Sequence, residues 1–168
     1  TIKGENMKKV ILRIDGKAYE KAEPTVKDWI DYYDAWAIHQ KNLLRGARKN
    51  EAAFEMILQV ISHYFSVPKS EILSGGLNEK RIERAFKDIQ ESLVASFRFV
   101  NLSDIQDLMD RRIIHNVMEM ASEMFLKQGI LPEDFFNQSL TALNRVLSHI
   151  SRKMLNRVGA TAVDDTNF

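Results

Sequence analysis

The 168-residue sequence contains no cysteine, which rules out disulfides and thiolate metal sites and fits a reducing compartment. It has no apolar run beyond a few residues, so it holds no transmembrane span, and its start shows no signal-peptide apolar region. Charge of one sign is also missing. Twenty-four Lys and Arg against 23 Asp and Glu leave a formal net charge of +1, which gives no field to recruit nucleic acid or an anionic membrane unaided. There is no internal repeat and no low-complexity tract. What remains is an ordinary globular composition, 45% hydrophobic and 28% charged, in a chain long enough to bury roughly 70% of its unfolded surface.

The chemical signatures are missing as well. No Gly-x-Ser-x-Gly elbow is present, and no Gly-rich loop precedes a lysine at phosphate-cradle spacing. Asp107, Asp110 and Glu119 spread around a helix and do not form a carboxylate pair. The four histidines fall on four different expected helices, and the best metal-like pair, His115 with Glu119, lacks a third ligand. No catalytic residue, metal ligand or cofactor site is therefore expected.

What is present is a clear order of elements. Met7 to Lys9 reads as a natural start, so residues 1–6 are set aside as an added leader. Val10 to Ile14 is apolar and β-branched, Asp15-Gly16 is the strongest two-residue hairpin turn, and Lys17 to Lys21 returns. A lone hairpin is marginal in water and must lean on something; the following helix is the nearest support. Pro24 stops the second strand, and Thr25 with Asp28 opens that helix close to a capping box. Val26, Trp29, Ile30, Tyr33, Ala37 and Leu44 form one face, and Gly46 ends it. Tyr32 and Trp36 lie on an adjoining strip, either covered by the hairpin or offered to a partner.

Asn50 is expected to cap a second helix to Phe65, with Phe54, Ile57, Leu58, Ile61 and Phe65 inward. Pro68 breaks it, Lys69 to Leu73 makes one short turn, and Asn78 caps a third long helix to Phe97 with Ile82, Phe86, Ile89, Leu93 and Phe97 inward. The stretch Phe99 to Leu102 reads as a hinge. Ser103 with Gln106 opens a fourth helix to Gln128, carrying Ile105, Leu108, Ile114, Val117, Ala121, Met124 and Phe125. A last helix is expected from Glu133 to about Arg157, where Phe136, Leu140, Leu143, Leu147, Ile150 and Met154 follow four-three spacing. That stripe is either one side of an antiparallel helix pair or a self-association seam through Phe136, Leu140, Leu143, Leu147 and Ile150. The expected fold is mainly α, five helices with an N-terminal β-hairpin. Residues 7–100 form one domain, 101–157 a helical hairpin, and 158–168 a disordered tail.

The hairpin Val10 to Tyr19, the helix from Thr25, the run Val60 to Phe65, the turn Pro68 to Leu73, Gly75-Gly76 and the closing helix Asn78 to Phe97 occur in an order that resembles the tail-assembly chaperones of long-tailed phages and prophages of Gram-positive bacteria. The resemblance covers roughly the first hundred residues. Residues 101–168 then correspond either to the segment that frameshifted products add or to a helical addition of a subgroup. The resemblance implies a non-catalytic protein of the host cytoplasm that self-associates. It would bind the tape-measure protein, keep its helices soluble, recruit major tail protein and be absent from the finished virion. Partner contacts would fall on the surplus apolar surface: Tyr32, Trp36, Phe97, Phe99, and the methionine face with Met109, Met118 and Met120, whose side chains adapt to irregular helices. Met124 is read as core. The alternative is a small helical phage-derived nucleic-acid-binding or regulatory protein, using the basic clusters at Arg45, Arg48 and Lys49, at Lys80, Arg81 and Arg84, and at Arg152, Lys153 and Arg157. Glu79, Glu83 and Asp88 interleave with the middle cluster, so no nucleic-acid partner is expected.

Overall fold

The structure, a computed structural model, describes residues 9–96 and 111–148. Strands β1 (Val10–Ile14) and β2 (Lys17–Lys21) pair antiparallel, with Val10 opposite Lys21 and Ile14 opposite Lys17. Asp15 and Gly16 both have positive φ, at 48° and 78°, as a type I′ turn requires. Alternation then buries Val10, Leu12 and Ile14 and exposes Ile11 and Arg13. The hairpin leans chiefly on other elements than the helix that follows it: β1 packs on α4 (Glu79–Ser96) and β2 on α2 (Lys49–Phe65). The expected support from the adjacent helix is replaced by helices brought in from farther along the chain.

Helix α1 (Val26–Leu44) opens on a complete capping box. The Asp28 N–H donates to Thr25 Oγ1 at 3.3 Å, and the Thr25 N–H donates to Asp28 Oδ2 at 2.8 Å. Gly46, at φ 89°, follows its end as expected. Asp28 is buried and forms an ion pair with Lys21 at 2.6 Å; the Lys21 ammonium also donates to the Tyr64 carbonyl at 3.2 Å. The cap thereby ties β2, α1 and α2 together. Val26, Trp29, Tyr33 and Ala37 are buried as the periodicity requires, but Leu44 is 87% exposed because it lies in the last turn, beyond its neighbours.

Helix α2 begins at Lys49, with Arg48 at the cap position and Asn50 already inside the first turn, so the expected Asn50 cap is not used. It lies against both α1 and α4 and buries Met56, Leu58, Val60, Ile61 and Tyr64. Burial on two sides spreads the core face beyond the expected stripe, and Phe54, Ile57 and Phe65 are only half-buried. The short α3 (Lys69–Ser74) buries Ile72. In α4 the expected Ile82, Phe86, Ile89 and Leu93 are all buried, and Asn78 Oδ1 accepts the Arg81 N–H at 2.9 Å.

The C-terminal part departs most from expectation. Helix α5 (Arg111–Lys127) ends before Gly129 at φ 88°, but the last helix is two: α6 (Pro132–Phe135) and α7 (Leu140–Ser148). Ser139 Oγ accepts the Ala142 N–H at 3.0 Å and caps α7. The break shifts the helical phase, so Phe135 is buried and Phe136 is 46% exposed, the reverse of the four-three stripe. It also frees backbone groups for α1. The Val26 N–H donates to the Gln138 carbonyl at 2.8 Å, Lys27 N–H to Phe136 carbonyl at 2.9 Å, and Leu140 N–H to Pro24 carbonyl at 2.9 Å. Two N–H groups that a helix start leaves without intrahelical acceptors are thus satisfied by the α6–α7 bend.

Seven helices and one hairpin therefore account for the described residues, where five helices were expected. Leu140, Leu143, Val146 and Leu147 join one hydrophobic core with Val10, Trp29, Ile61 and Leu93. The helical hairpin expected over 101–157 is not self-contained in its described part, and its leucines face the rest of the chain. The hinge at 99–102, the tail at 158–168 and the leader at 1–6 lie outside the described residues. No helix among the described residues is long and apolar enough to cross a membrane.

One close approach fixes the hairpin on this core. A Cβ built on Gly75 collides with Ile14 Cγ2 and sits 2.8 Å from the Glu71 carbonyl oxygen, whereas one on Gly76, at φ 74°, meets nothing. G75A should lower stability by about 2 kcal/mol through overpacking, and G76A by about 1 kcal/mol through its left-handed backbone. Urea midpoints compare the two; a neutral G75A contradicts the seating of β1 on the α3–α4 turn.

Candidate functional site

Helices α1 and α5, with α6 and the residue after it, line an open groove of about 610 Å³. Trp29, Ile30 and Tyr33 supply the α1 wall, Met118 and Ser122 the α5 wall, and Pro132, Phe135 and Phe136 the α6 side. Spacings of three and four residues on α1 (Ile30 to Tyr33, Trp29 to Tyr33) and four on α5 are those of single helix faces, so each wall is a direct product of local periodicity. The aromatic groups are ordered against one another. Trp29 and Tyr33 stack with centroids 5.9 Å apart, and Phe135 lies 5.6 Å from Phe125 and 5.4 Å from Phe136. Among the described residues the charged side chains lining the groove are all acidic: Asp34, Glu119 and Glu123. An apolar floor with carboxylates at the edge suits a partner with an apolar stripe flanked by Lys or Arg.

No protein-family model, curated protein or solved structure matches the chain. Its site is accordingly read from its own geometry.

The residues singled out from sequence are distributed unevenly around this groove. Met118 and Phe136 line it. Tyr32 does not; it is buried on the opposite strip of α1, stacked on Phe86 at 6.2 Å, with its hydroxyl accepting from Gln90 Nε2 at 2.7 Å. Helix α4, not the hairpin, supplies these two contacts. Trp36 is half-buried and edge-on to Tyr32 at 6.4 Å and to His39 at 5.5 Å. Met120 and Met124 are half-buried against the core. Leu140, Leu143 and Leu147 are fully buried within the chain itself, which removes them from a seam between copies. Phe97, Phe99, Met109 and Ile150 lie outside the described residues. Trp29, Ile30 and Tyr33 were legible only as core, because a groove wall and a core face share the same helical periodicity.

Acid–base chemistry is sparse in this arrangement. Among the described residues no three His, Asp or Glu side chains gather as metal ligands. Among the described residues the perturbed groups are two buried phenols. Burial raises Tyr32, opposed by its hydrogen bond with Gln90. Burial, reinforced by the Asp28 charge, pushes Tyr64 up to about 12. A phenol with a folded pKa above its unfolded value gives a stability contribution that is complete below pH 10 and fades as pH rises toward 12. Urea midpoints should therefore fall over that window, less steeply in Tyr64→Phe. An equal slope in the variant contradicts the burial of this hydroxyl.

Proposed function

We propose that the protein is a non-catalytic tail-assembly chaperone that holds amphipathic helices of the tape-measure protein in the α1–α5 groove and helps recruit major tail protein around them. The supporting observation is the groove itself: an aromatic and methionine-lined channel whose charged lining residues, among those described, are all carboxylates. Its volume lies within the range of sites that bury a ligand's apolar side chains. A docked helix would place anchors spaced three or four residues apart against Ile30, Met118 and Phe136, with its basic flank near Glu123. Met118 can adjust to clients of different shape. The order of the hairpin and α1 to α4, which resembles the chaperone class, supports the same reading.

The protein acts in the host cytoplasm and leaves before the tail is complete. Self-association, expected of the class, uses a surface other than Leu140, Leu143 and Leu147, since these are committed to the monomer core.

Co-expression with the tape-measure protein of the same phage should raise that protein's solubility and give a complex that survives gel filtration. Ser122→Arg places a bulky cation in the half-buried groove wall and should reduce the recovered complex about tenfold, the loss corresponding to about 1.4 kcal/mol. Leu44→Ser, at an exposed position outside the groove, should leave it unchanged. Separate elution of wild-type protein and client, with client solubility unaltered, overturns the proposal.

A further inference from the structure

A second cleft, of about 290 Å³, shares no residue with the groove and opens between β1 and α4. Ile11, Leu12, Leu77 and Ala85 form its apolar surface, while Arg13, Arg81 and Arg84 bring three guanidinium groups to it. In the sequence the α4 arginines alternate with acids, which reads as a balanced solvated face. The fold separates them. Helical steps of three and four residues carry Arg81, Arg84 and Asp88 to the cleft, Leu77 joins them from just before the helix, and neither Glu79 nor Glu83 lines it. Asp88 is the one carboxylate among the described lining residues, leaving these a net of two positive charges in a chain whose total is +1.

The hairpin register adds the third arginine without a counter-ion. Arg13 lies opposite Ala18, while Glu20, opposite Ile11, forms its ion pair with Lys9 at 3.7 Å. On α4, the Arg81 N–H is capped by the neutral Asn78, so the helix start supplies no carboxylate there. Among the described residues none of the three arginines has a carboxylate within ion-pair distance. Like charges three apart on a helix repel, so Arg81 and Arg84 destabilise each other in the free protein. A bound anion removes that repulsion.

We propose that this cleft binds a small phosphate ester bearing an apolar or aromatic body, of the size of a nucleoside monophosphate. The guanidinium fork matches phosphate oxygens two at a time, and its face stacks on aromatic rings. The apolar surface of Ile11 and Leu77 would take the ester's body, which distinguishes such a ligand from free phosphate. The volume sits at the small end of ligand sites, which excludes large cofactors.

Titration calorimetry of the full chain with adenosine 5′-monophosphate tests this. Saturable binding at one site per chain is expected, weaker at about 0.15 M salt than at low ionic strength. Arg81→Gln and Arg84→Gln should each weaken binding at least about fivefold. Asp88→Asn should tighten it, and inorganic phosphate should bind several-fold more weakly than the nucleotide. Lys87→Gln removes an equal charge from an exposed α4 position outside the cleft and should change affinity less than about twofold. These arginines are exposed, and circular dichroism of each variant verifies its fold. Absent or non-saturating binding overturns the assignment. So does a Lys87→Gln effect as large as that of Arg84→Gln, or equal affinity for phosphate and nucleotide.

Discussion

Asp28 is the group on which the rest of the structure depends. Its buried carboxylate completes the α1 capping box and accepts the Lys21 ammonium, which in turn reaches the Tyr64 carbonyl. A carboxylate in that position is tolerable only because it is paired and hydrogen-bonded, and removal of a partner from such a site is costly. Just before Asp28, the Val26 and Lys27 N–H groups are satisfied by carbonyls of the α6–α7 bend. The start of α1 is thus where the hairpin, α2 and the C-terminal helices meet. Hydrogen bonds there have fixed directions, so they set the orientation that the apolar core alone leaves free.

The groove follows from that junction. Helix α1 is held at its start by α6 and α7 and along its length by α2, while α5 reaches the same core through Ala121 and Phe125. Between these attachments lies the groove, lined by Trp29, Tyr33 and Met118 among others. The proposed holding of client helices would draw on a rigid wall and an adaptable one. Stacked Trp29 and Tyr33 provide the first, and the half-buried methionine of α5 provides the second.

Local chemistry was legible in the sequence wherever it acted alone. Asp15-Gly16 and the alternation of Val10 to Ile14 give the hairpin to the residue, and Thr25, Asn78, Gly46 and Gly129 mark helix ends where the structure has them. The misreadings arise where two local signals compete or where distance decides. Between Phe136 and Leu140 a perfect four-three spacing hid the Asn137 to Ser139 cap cluster, and the cap prevailed because its freed carbonyls find donors on α1. Tyr32 read as surplus surface because nothing local places Phe86 and Gln90 beside it. The groove and the arginine cleft are each built by elements distant in sequence, and no periodicity within one helix reports such a meeting.

The central claim is that the Asp28 junction makes the hairpin, α1 and the C-terminal helices one unit with the groove between them. Hydrogen exchange of Asp28→Ala against the parent protein tests it most directly. The account predicts faster exchange together at Lys21, at Val26 and Lys27, and at Leu140 to Leu143. Faster exchange confined to the first turn of α1, with Leu140 to Leu143 as protected as before, contradicts it.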